Sequence, residues 1–130
     1  MCKNWLARCI RSRVSWSLII LAALTSQALS CDWSGDWTIT WGTREGVPHT
    51  NLMTVEQSGD EVSGSYDWIG GRIEGDIVGE KMIGQWTQSN GEWGRFEFTI
   101  QSDCRSFEGV WGYRDSIENG YWNGNRQDSG

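Results

Sequence analysis

The sequence predicts an all-β fold, an eight-stranded antiparallel up-and-down barrel. Apolar and polar residues alternate in short runs, and glycine, asparagine or aspartate separates the runs. Five runs also place a large residue two positions on either side of a glycine. Because the links are too short for parallel crossovers, consecutive strands are expected to be antiparallel. Closure removes the exposed edges of such a meander, which favours a barrel over the alternative, a two-sheet β-sandwich.

The first 30 residues are expected to be a signal peptide, which leaves residues 31–130 as a single barrel domain. An apolar run at 18–24 is much shorter than the ~20 residues that a membrane span needs. The small residues Ala28 and Ser30 fit cleavage before Cys31. We therefore expect a secreted or periplasmic protein. The leader has no acidic residue, and its cationic residues are Lys3, Arg8, Arg11 and Arg13.

The expected mature part is strongly acidic and rich in glycine and tryptophan. It keeps seven cationic side chains against all 17 acidic ones, a formal charge of −10. Such a field makes nucleic acid a poor partner. All 17 glycines and eight of the ten tryptophans lie here, with the single proline. Since glycine recurs every few residues and disfavours helix, the composition is typical of a β-domain.

The inward face of each strand follows from the period of two. Trp37, Ile39 and Trp41 face inward in the first strand, and Met53 and Val55 do so in the second. A mid-strand glycine marks a close approach of another group, here expected to be an indole of a neighbouring strand. The run at 95–100 places Phe96, Phe98 and Ile100 on one face, and the glycine repeats span 62–66, 73–77, 82–86, 107–111 and 122–126.

Two cysteines remain once the leader is removed, Cys31 and Cys104. In an oxidising compartment they most simply form a disulfide with each other, which stabilises the fold by at most about 4 kcal/mol. The alternative is that Cys31, the first residue after cleavage, carries a lipid as in bacterial lipoproteins and attaches the protein to a membrane. The segment 28–30 loosely resembles the lipoprotein cleavage box.

The residues needed for catalysis are missing from the pattern. His49 is the only histidine; it follows Pro48 and is expected in a solvated loop without a nucleophile beside it. Two cysteines and one distant histidine make no metal cluster, and no glycine-rich phosphate loop precedes a helix. The acidic residues in strands alternate with apolar ones and so face outward. We expect no enzyme activity, no metal and no cofactor.

A family resemblance rests on three residues. Gly35-Asp36-Trp37 opens the first strand, and Arg126 lies near the end of the last. This pairing resembles the signature of the calycin barrels, the group of lipocalins, fatty-acid-binding proteins and avidins. In that group the first-strand indole packs against a basic side chain at the closed end of the barrel. The resemblance therefore implies a cation–π contact between Trp37 and Arg126 worth about 0.5 to 2 kcal/mol.

Within that group the glycine- and tryptophan-rich strands look most like avidins. The resemblance then implies that Tyr66, Trp86 and Trp111 line a ligand pocket. The segment 38–43 does not carry the asparagine and serine with which avidins hold biotin, and no last-strand aspartate completes that polar cage. We therefore do not expect biotin as the ligand, because a buried polar ligand without matched partners binds poorly.

The inward aromatic residues are the remaining candidates for function. Their glycine neighbours leave either a filled core or a cavity that holds one small ligand. We expect a non-enzymatic binding module for a small apolar or amphipathic molecule, with ligand contacts from Trp41, Tyr66, Trp86, Trp111 and Trp122.

Two alternatives belong to other functional classes. A filled barrel would be a structural or protein-interaction domain of the cell envelope, using Trp68 and Trp93 at strand ends or turns. Exposed indoles can also stack on sugar rings, so the third expectation is a carbohydrate-binding module. Trp33, just after Cys31, belongs to the same group of tryptophans whose burial the pattern does not predict.

Overall fold

The computed structural model describes residues 30–128 and forms a closed eight-stranded antiparallel β-barrel. The strands pair in chain order, and β1 also pairs with β8. The predicted meander barrel is confirmed, and the alternative of a β-sandwich is wrong. The strands are β1 (Gly35–Thr43), β2 (His49–Ser58), β3 (Glu61–Tyr66), β4 (Gly71–Val78), β5 (Lys81–Thr87), β6 (Trp93–Ile100), β7 (Ser106–Tyr113) and β8 (Gly120–Arg126).

The expected signal peptide lies outside the described residues, apart from Ser30 at its end. Within 30–128 no helix has the length and apolar character needed to cross a membrane. The chain enters the barrel at one end, called here the closed end, together with the turns 59–60 and 79–80 and the loop 101–105. The opposite, open end is formed by the loops 44–48, 67–70, 88–92 and 114–119.

The alternation of side chains along the strands determines which residues form the core, as predicted. Side chains alternate between buried and exposed along every strand, and the run 95–100 buries Phe96, Phe98 and Ile100. The core residues with at most 6 % exposure are Trp33, Trp37, Ile39, Met53, Val55, Val62, Tyr66, Ile73, Met82, Trp86, Phe96, Phe98, Ile100, Phe107, Trp111 and Trp122.

Large rings lie directly over glycines of the neighbouring strand. Phe107 pairs with Gly124 across β7 and β8, and a Cβ at Gly124 would overlap the phenyl ring. Hydrogen is therefore the only side chain that fits beneath these rings. The same relation holds for the cross-strand pairs Tyr66–Gly71, Trp86–Gly94, Phe98–Gly109 and Trp111–Gly120.

The expectation that indoles cover the five repeat glycines is wrong. Phenyl rings cover Gly109 and Gly124, and the indoles lie over Gly94 and Gly120, outside the repeat. The other repeat glycines meet backbone instead. Gly75 and Gly84 face each other across β4 and β5, and a Cβ on either would meet the opposite strand. These glycines bring two backbones together, which bends the sheet for closure.

Arg126 joins three segments at the closed end. Its guanidinium carbon lies 4.3 Å from the centre of the Trp37 ring, the cation–π contact that the resemblance implies. Nη1 donates to the Ser34 carbonyl at 2.8 Å, Nη2 to the Asp32 carbonyl at 2.6 Å, and Nε to the Cys104 carbonyl at 3.1 Å. The last strand therefore holds the segment that precedes the first one.

The side chain of Trp33 fills the closed end of the barrel. The sequence pattern does not predict that this residue is buried. Its side chain is 1 % exposed, with its ring centre 5.8 Å from that of Trp37 and 5.6 Å from that of Phe107. The Trp33 carbonyl accepts a hydrogen bond from Trp37 Nε1 at 3.0 Å, and its backbone N–H donates to Gln57 Oε1 at 2.9 Å. The segment before β1 is thus part of the core.

Cys31 and Cys104 form the predicted disulfide pair. Their Cα atoms are 5.4 Å apart, and 73 residues separate them in sequence. The bond connects the segment before β1 to the loop between β6 and β7 at the closed end. A sulfur in this bond cannot also carry a lipid, so the two fates of Cys31 exclude each other.

Replacing Cys104 with Ser is expected to lower the free energy of unfolding by up to about 4 kcal/mol, because the unfolded chain gains conformational freedom. Urea unfolding with and without a reductant measures this effect. Reductant should destabilise the native protein to the level of the variant and leave the variant unchanged. Equal stability of the oxidised protein and the variant would contradict the disulfide.

Replacing Gly124 with Ala is expected to destabilise the barrel by about 1 to 3 kcal/mol, because the new methyl group overlaps the buried Phe107 ring. Gly46→Ala is the matched control, since its Cβ meets the Thr43 hydroxyl, which can rotate away at the exposed open end. Thermal denaturation of both variants tests the prediction. A Gly124→Ala protein as stable as Gly46→Ala would show that the ring has room to move.

Candidate functional site

A cavity opens between the strand ends at the open end of the barrel. Its volume is about 60 Å³. Seven of its eight lining side chains are aromatic, and none carries a formal charge. They are Trp41, Tyr66, Trp68, Trp86, Gln88, Trp111, Tyr113 and Trp122.

All five residues predicted to contact a ligand line this cavity, and three further residues join them. Trp68 was expected on the surface, whereas Gln88 and Tyr113 were not singled out. Each follows a predicted wall residue by two positions: Trp68 after Tyr66, Gln88 after Trp86, and Tyr113 after Trp111. The alternation of inward and outward side chains, continued two residues past the end of each glycine repeat, identifies all three as inward-facing.

Below the cavity the interior is filled by aromatic rings. Phe98 stacks on Phe96 and on Phe107 with ring centres 4.4 Å apart in both pairs. Trp33 lies beneath them, 6.4 Å from Phe98. The barrel is therefore divided into a solid lower part and a small aromatic cavity above it.

Hydrogen bonds hold three of the wall indoles in place. Trp41 Nε1 donates to Asn51 Oδ1 at 2.8 Å, Trp86 Nε1 to the Gly112 carbonyl at 3.1 Å, and Trp111 Nε1 to the Gly42 carbonyl at 3.3 Å. Each bond connects the ring to another strand. These three hydrogen bonds thereby fix the orientation of the wall rings.

Trp122 differs from the other wall indoles. Its side chain is 4 % exposed, and its Nε1 is buried without a hydrogen-bond partner among residues 30–128. The Tyr66 ring lies edge to face with it, with the ring centres 5.1 Å apart. A buried donor without an acceptor is uncommon in folded proteins.

Tyr66 supplies a hydroxyl at the cavity wall. Gln88 Nε2 donates to the Tyr66 oxygen at 3.0 Å, so the phenolic proton is available to another acceptor. Burial raises the pKa of Tyr66 to about 12, while the hydrogen bond from Gln88 acts in the opposite direction. The phenol is therefore neutral throughout the physiological range.

The rim of the cavity includes His49, which was wrongly expected in a solvated loop. His49 is the first residue of β2, and its ring stacks on Trp41 with centres 4.5 Å apart. The Trp68 ring lies 4.7 Å from His49 and 5.2 Å from Trp41. Antiparallel pairing of Trp41 with His49 brings these rings together across β1 and β2. Pairs at this distance contribute directly to sheet stability.

The two tryptophans expected at an interaction surface lie in different places. Trp68 is half-buried at the mouth and packs against the core, as part of the cavity wall. Trp93 begins β6 and is half-buried outside the wall, where the Arg114 guanidinium lies 5.7 Å from its ring centre. Trp68 therefore belongs to the cavity wall, whereas Trp93 does not line the cavity.

No group of three or more histidine, cysteine, aspartate or glutamate side chains gathers as a metal site within the described range. The chain matches no protein-family model, and no curated protein is significantly similar to it. The closed eight-stranded antiparallel meander is consistent with a calycin-like fold. Architecture of this kind does not specify a ligand.

The raised pKa of Tyr66 predicts a pH-dependent loss of stability. The folded state keeps the phenolic proton up to about pH 12, whereas the unfolded chain loses it near 10, so stability falls between these values. At about pH 11 the loss amounts to about 1 kcal/mol. Urea unfolding from about pH 9 to 11 should show this extra loss in the native protein and not in Tyr66→Phe. Parallel pH profiles of the two proteins would contradict the assignment.

Proposed function

We propose that this protein is a secreted, non-enzymatic binding module that holds a small apolar or amphipathic group in the aromatic cavity at its open end. The observation that carries the proposal is the cavity itself, which the folded chain leaves between seven aromatic side chains. Concave, mostly apolar sites with a few polar groups are the usual form of small-molecule sites. Tyr66 and Gln88 provide those polar groups.

The volume limits what can enter. In proportion to a cavity of about 150 Å³ that holds the six heavy atoms of benzene, about 60 Å³ holds about two or three heavy atoms of a ligand. An engineered protein cavity of about 150 Å³ binds benzene, so this cavity takes less than a whole aromatic ring unless its mouth opens. We therefore propose that one small end of a ligand is buried and that the remainder lies at the rim formed by Trp41, His49 and Trp68.

A calycin-like ancestry and a periplasmic or extracellular location are part of the same proposal. The closed end supports the first, because Gly35, Trp37 and Arg126 meet there as in calycin barrels. The Cys31–Cys104 pair supports the second, since disulfides persist in oxidising compartments. A barrel with this net charge is not proposed to bind nucleic acid.

A second candidate function is a structural or protein-interaction domain. The packed rings below the cavity favour this candidate, because they fill most of the barrel interior and leave no space there for a ligand. In that case Trp68 and Trp93 would contact a macromolecule from the open end. Capture of a protein or glycan partner that is lost on changing both residues to Ser would favour this candidate.

Replacing Trp68 with Ala is expected to weaken binding of a small apolar ligand about tenfold, because the variant loses one wall of the cavity. Binding is measured by tryptophan fluorescence and calorimetry with a panel of short alcohols from methanol to propanol. Trp93→Ala is the matched control, since this tryptophan begins β6 on the outer wall and does not line the cavity.

Native mass spectrometry of the protein purified with its own leader complements this titration. A bound molecule of low mass, retained by Trp93→Ala and lost by Trp68→Ala, is the expected result. Absence of binding by the native protein to every member of the panel would overturn the proposal. Equal affinities of the two variants would place the ligand elsewhere.

A further inference from the structure

One wall of the cavity is held less firmly than the others. Three of the wall indoles are fixed by Nε1 hydrogen bonds to other strands, and Trp122 is buried at 4 % exposure. Trp68, in contrast, takes part in none of these bonds and lies half-buried in the loop 67–70. Its ring contacts the rings of Trp41 and His49 at the rim. Trp68 is therefore the wall residue that can move with the smallest loss of contacts.

The residue after Trp68 has a strained backbone. Ile69 has a φ of 46°, in the left-handed region that a β-branched residue rarely adopts. Its side chain is 44 % exposed, so packing against the core does little to offset the strain. Residues in such conformations persist only where their surroundings enforce them, and they cluster at ligand clamps and switches.

Two hydrogen bonds from the neighbouring loop 88–92 hold Ile69 in this conformation. The Ser89 backbone N–H donates to the Ile69 carbonyl at 2.9 Å, and Ser89 Oγ donates to the same carbonyl at 3.1 Å. Ser89 is exposed at the open end, where water can replace these bonds at little net cost. Loss of the two bonds would release both the strain at Ile69 and the segment that carries Trp68.

The two ends of this segment are fixed. The Asp67 backbone N–H donates to the Leu52 carbonyl of β2 at 3.0 Å. On the other side Gly71, the first residue of β4, is buried against the Tyr66 ring. Movement is therefore confined to residues 68–70, and Gly70, with a φ of 59°, gives this segment a flexible hinge beside β4.

We propose that residues 68–70 form a gate, which moves Trp68 outward and admits a ligand with one whole aromatic ring. This inference rests on the proposed function and specifies the size of its ligand. The closed cavity of about 60 Å³ excludes such a ring, whereas outward movement adds the volume that the Trp68 indole occupies. The entering ring replaces the contacts of Trp68 with Trp41 and His49. Because only the open form binds it, the ligand shifts the population towards that form.

Phenol, a single aromatic ring with one hydroxyl, tests the gate. Calorimetry and stopped-flow tryptophan fluorescence are expected to show binding whose rate reaches a limit at high phenol concentration, because opening must come first. A native protein that binds the short alcohols but not phenol would overturn the gate and leave the proposed function standing. Binding of neither phenol nor the alcohols would overturn both.

Two substitutions outside the cavity lining are expected to change phenol binding in opposite directions. Ile69→Asn relieves the strain of the closed form, so phenol affinity should fall about fivefold. Ser89→Ala removes the Oγ hydrogen bond to the Ile69 carbonyl, so phenol should bind several-fold more tightly.

Arg114→Asn is the matched control for these variants. Arg114 also has a left-handed backbone, with a φ of 58°, but it does not line the cavity or belong to the gate. Its replacement should leave phenol affinity at the native value. Equal phenol affinities of Ile69→Asn, Ser89→Ala and the native protein would overturn the gate, as would an equal loss in Ile69→Asn and Arg114→Asn.

Discussion

The structure depends on placing large aromatic rings over glycines of the next strand. An eight-stranded barrel has a narrow interior, and inward side chains from opposite walls compete for the same space. Five cross-strand pairs solve this problem in one way, with the ring of one strand occupying the volume that a side chain on its partner would need. The chain can therefore place tryptophan at inward positions of a narrow barrel. The position of each glycine determines where a ring can lie.

These pairs also distinguish the two ends of the barrel. The phenylalanines over Gly109 and Gly124 stack on one another and pack against Trp33, and they fill the lower half. In the upper half Tyr66, Trp86 and Trp111 lie over glycines and line the cavity. Stability and the proposed binding thus belong to different halves of one continuous sheet. The closed end contains the disulfide and the contacts of Arg126, and the open end contains the polar groups of Tyr66 and Gln88.

The sequence predicts the fold well because a single periodicity governs it. Alternation identifies the inward residues from Trp37 to Trp122, and short turns leave only the meander. Residues before the first strand and at strand ends are harder to place from sequence, since their positions depend on tertiary contacts that no local pattern predicts. Trp33 is buried by contacts with Trp37 and Phe107, and His49 is drawn to the rim by stacking on Trp41. Cavity volume is unpredictable for the same reason, because it depends on ring orientations.

Closure of the barrel has a consequence for the order in which the chain folds. β1 pairs with β2 and with β8, so one edge of the first strand lacks its partner until the last strand has been made. Contacts between such distant segments form slowly, because a long loop must close first. The bond between Cys31 and Cys104 fastens the start of β1 close to β7, the neighbour of β8. Once oxidised, the chain has a much shorter search for its final pairing, and the exposed strand edge, a site of aggregation, is covered sooner.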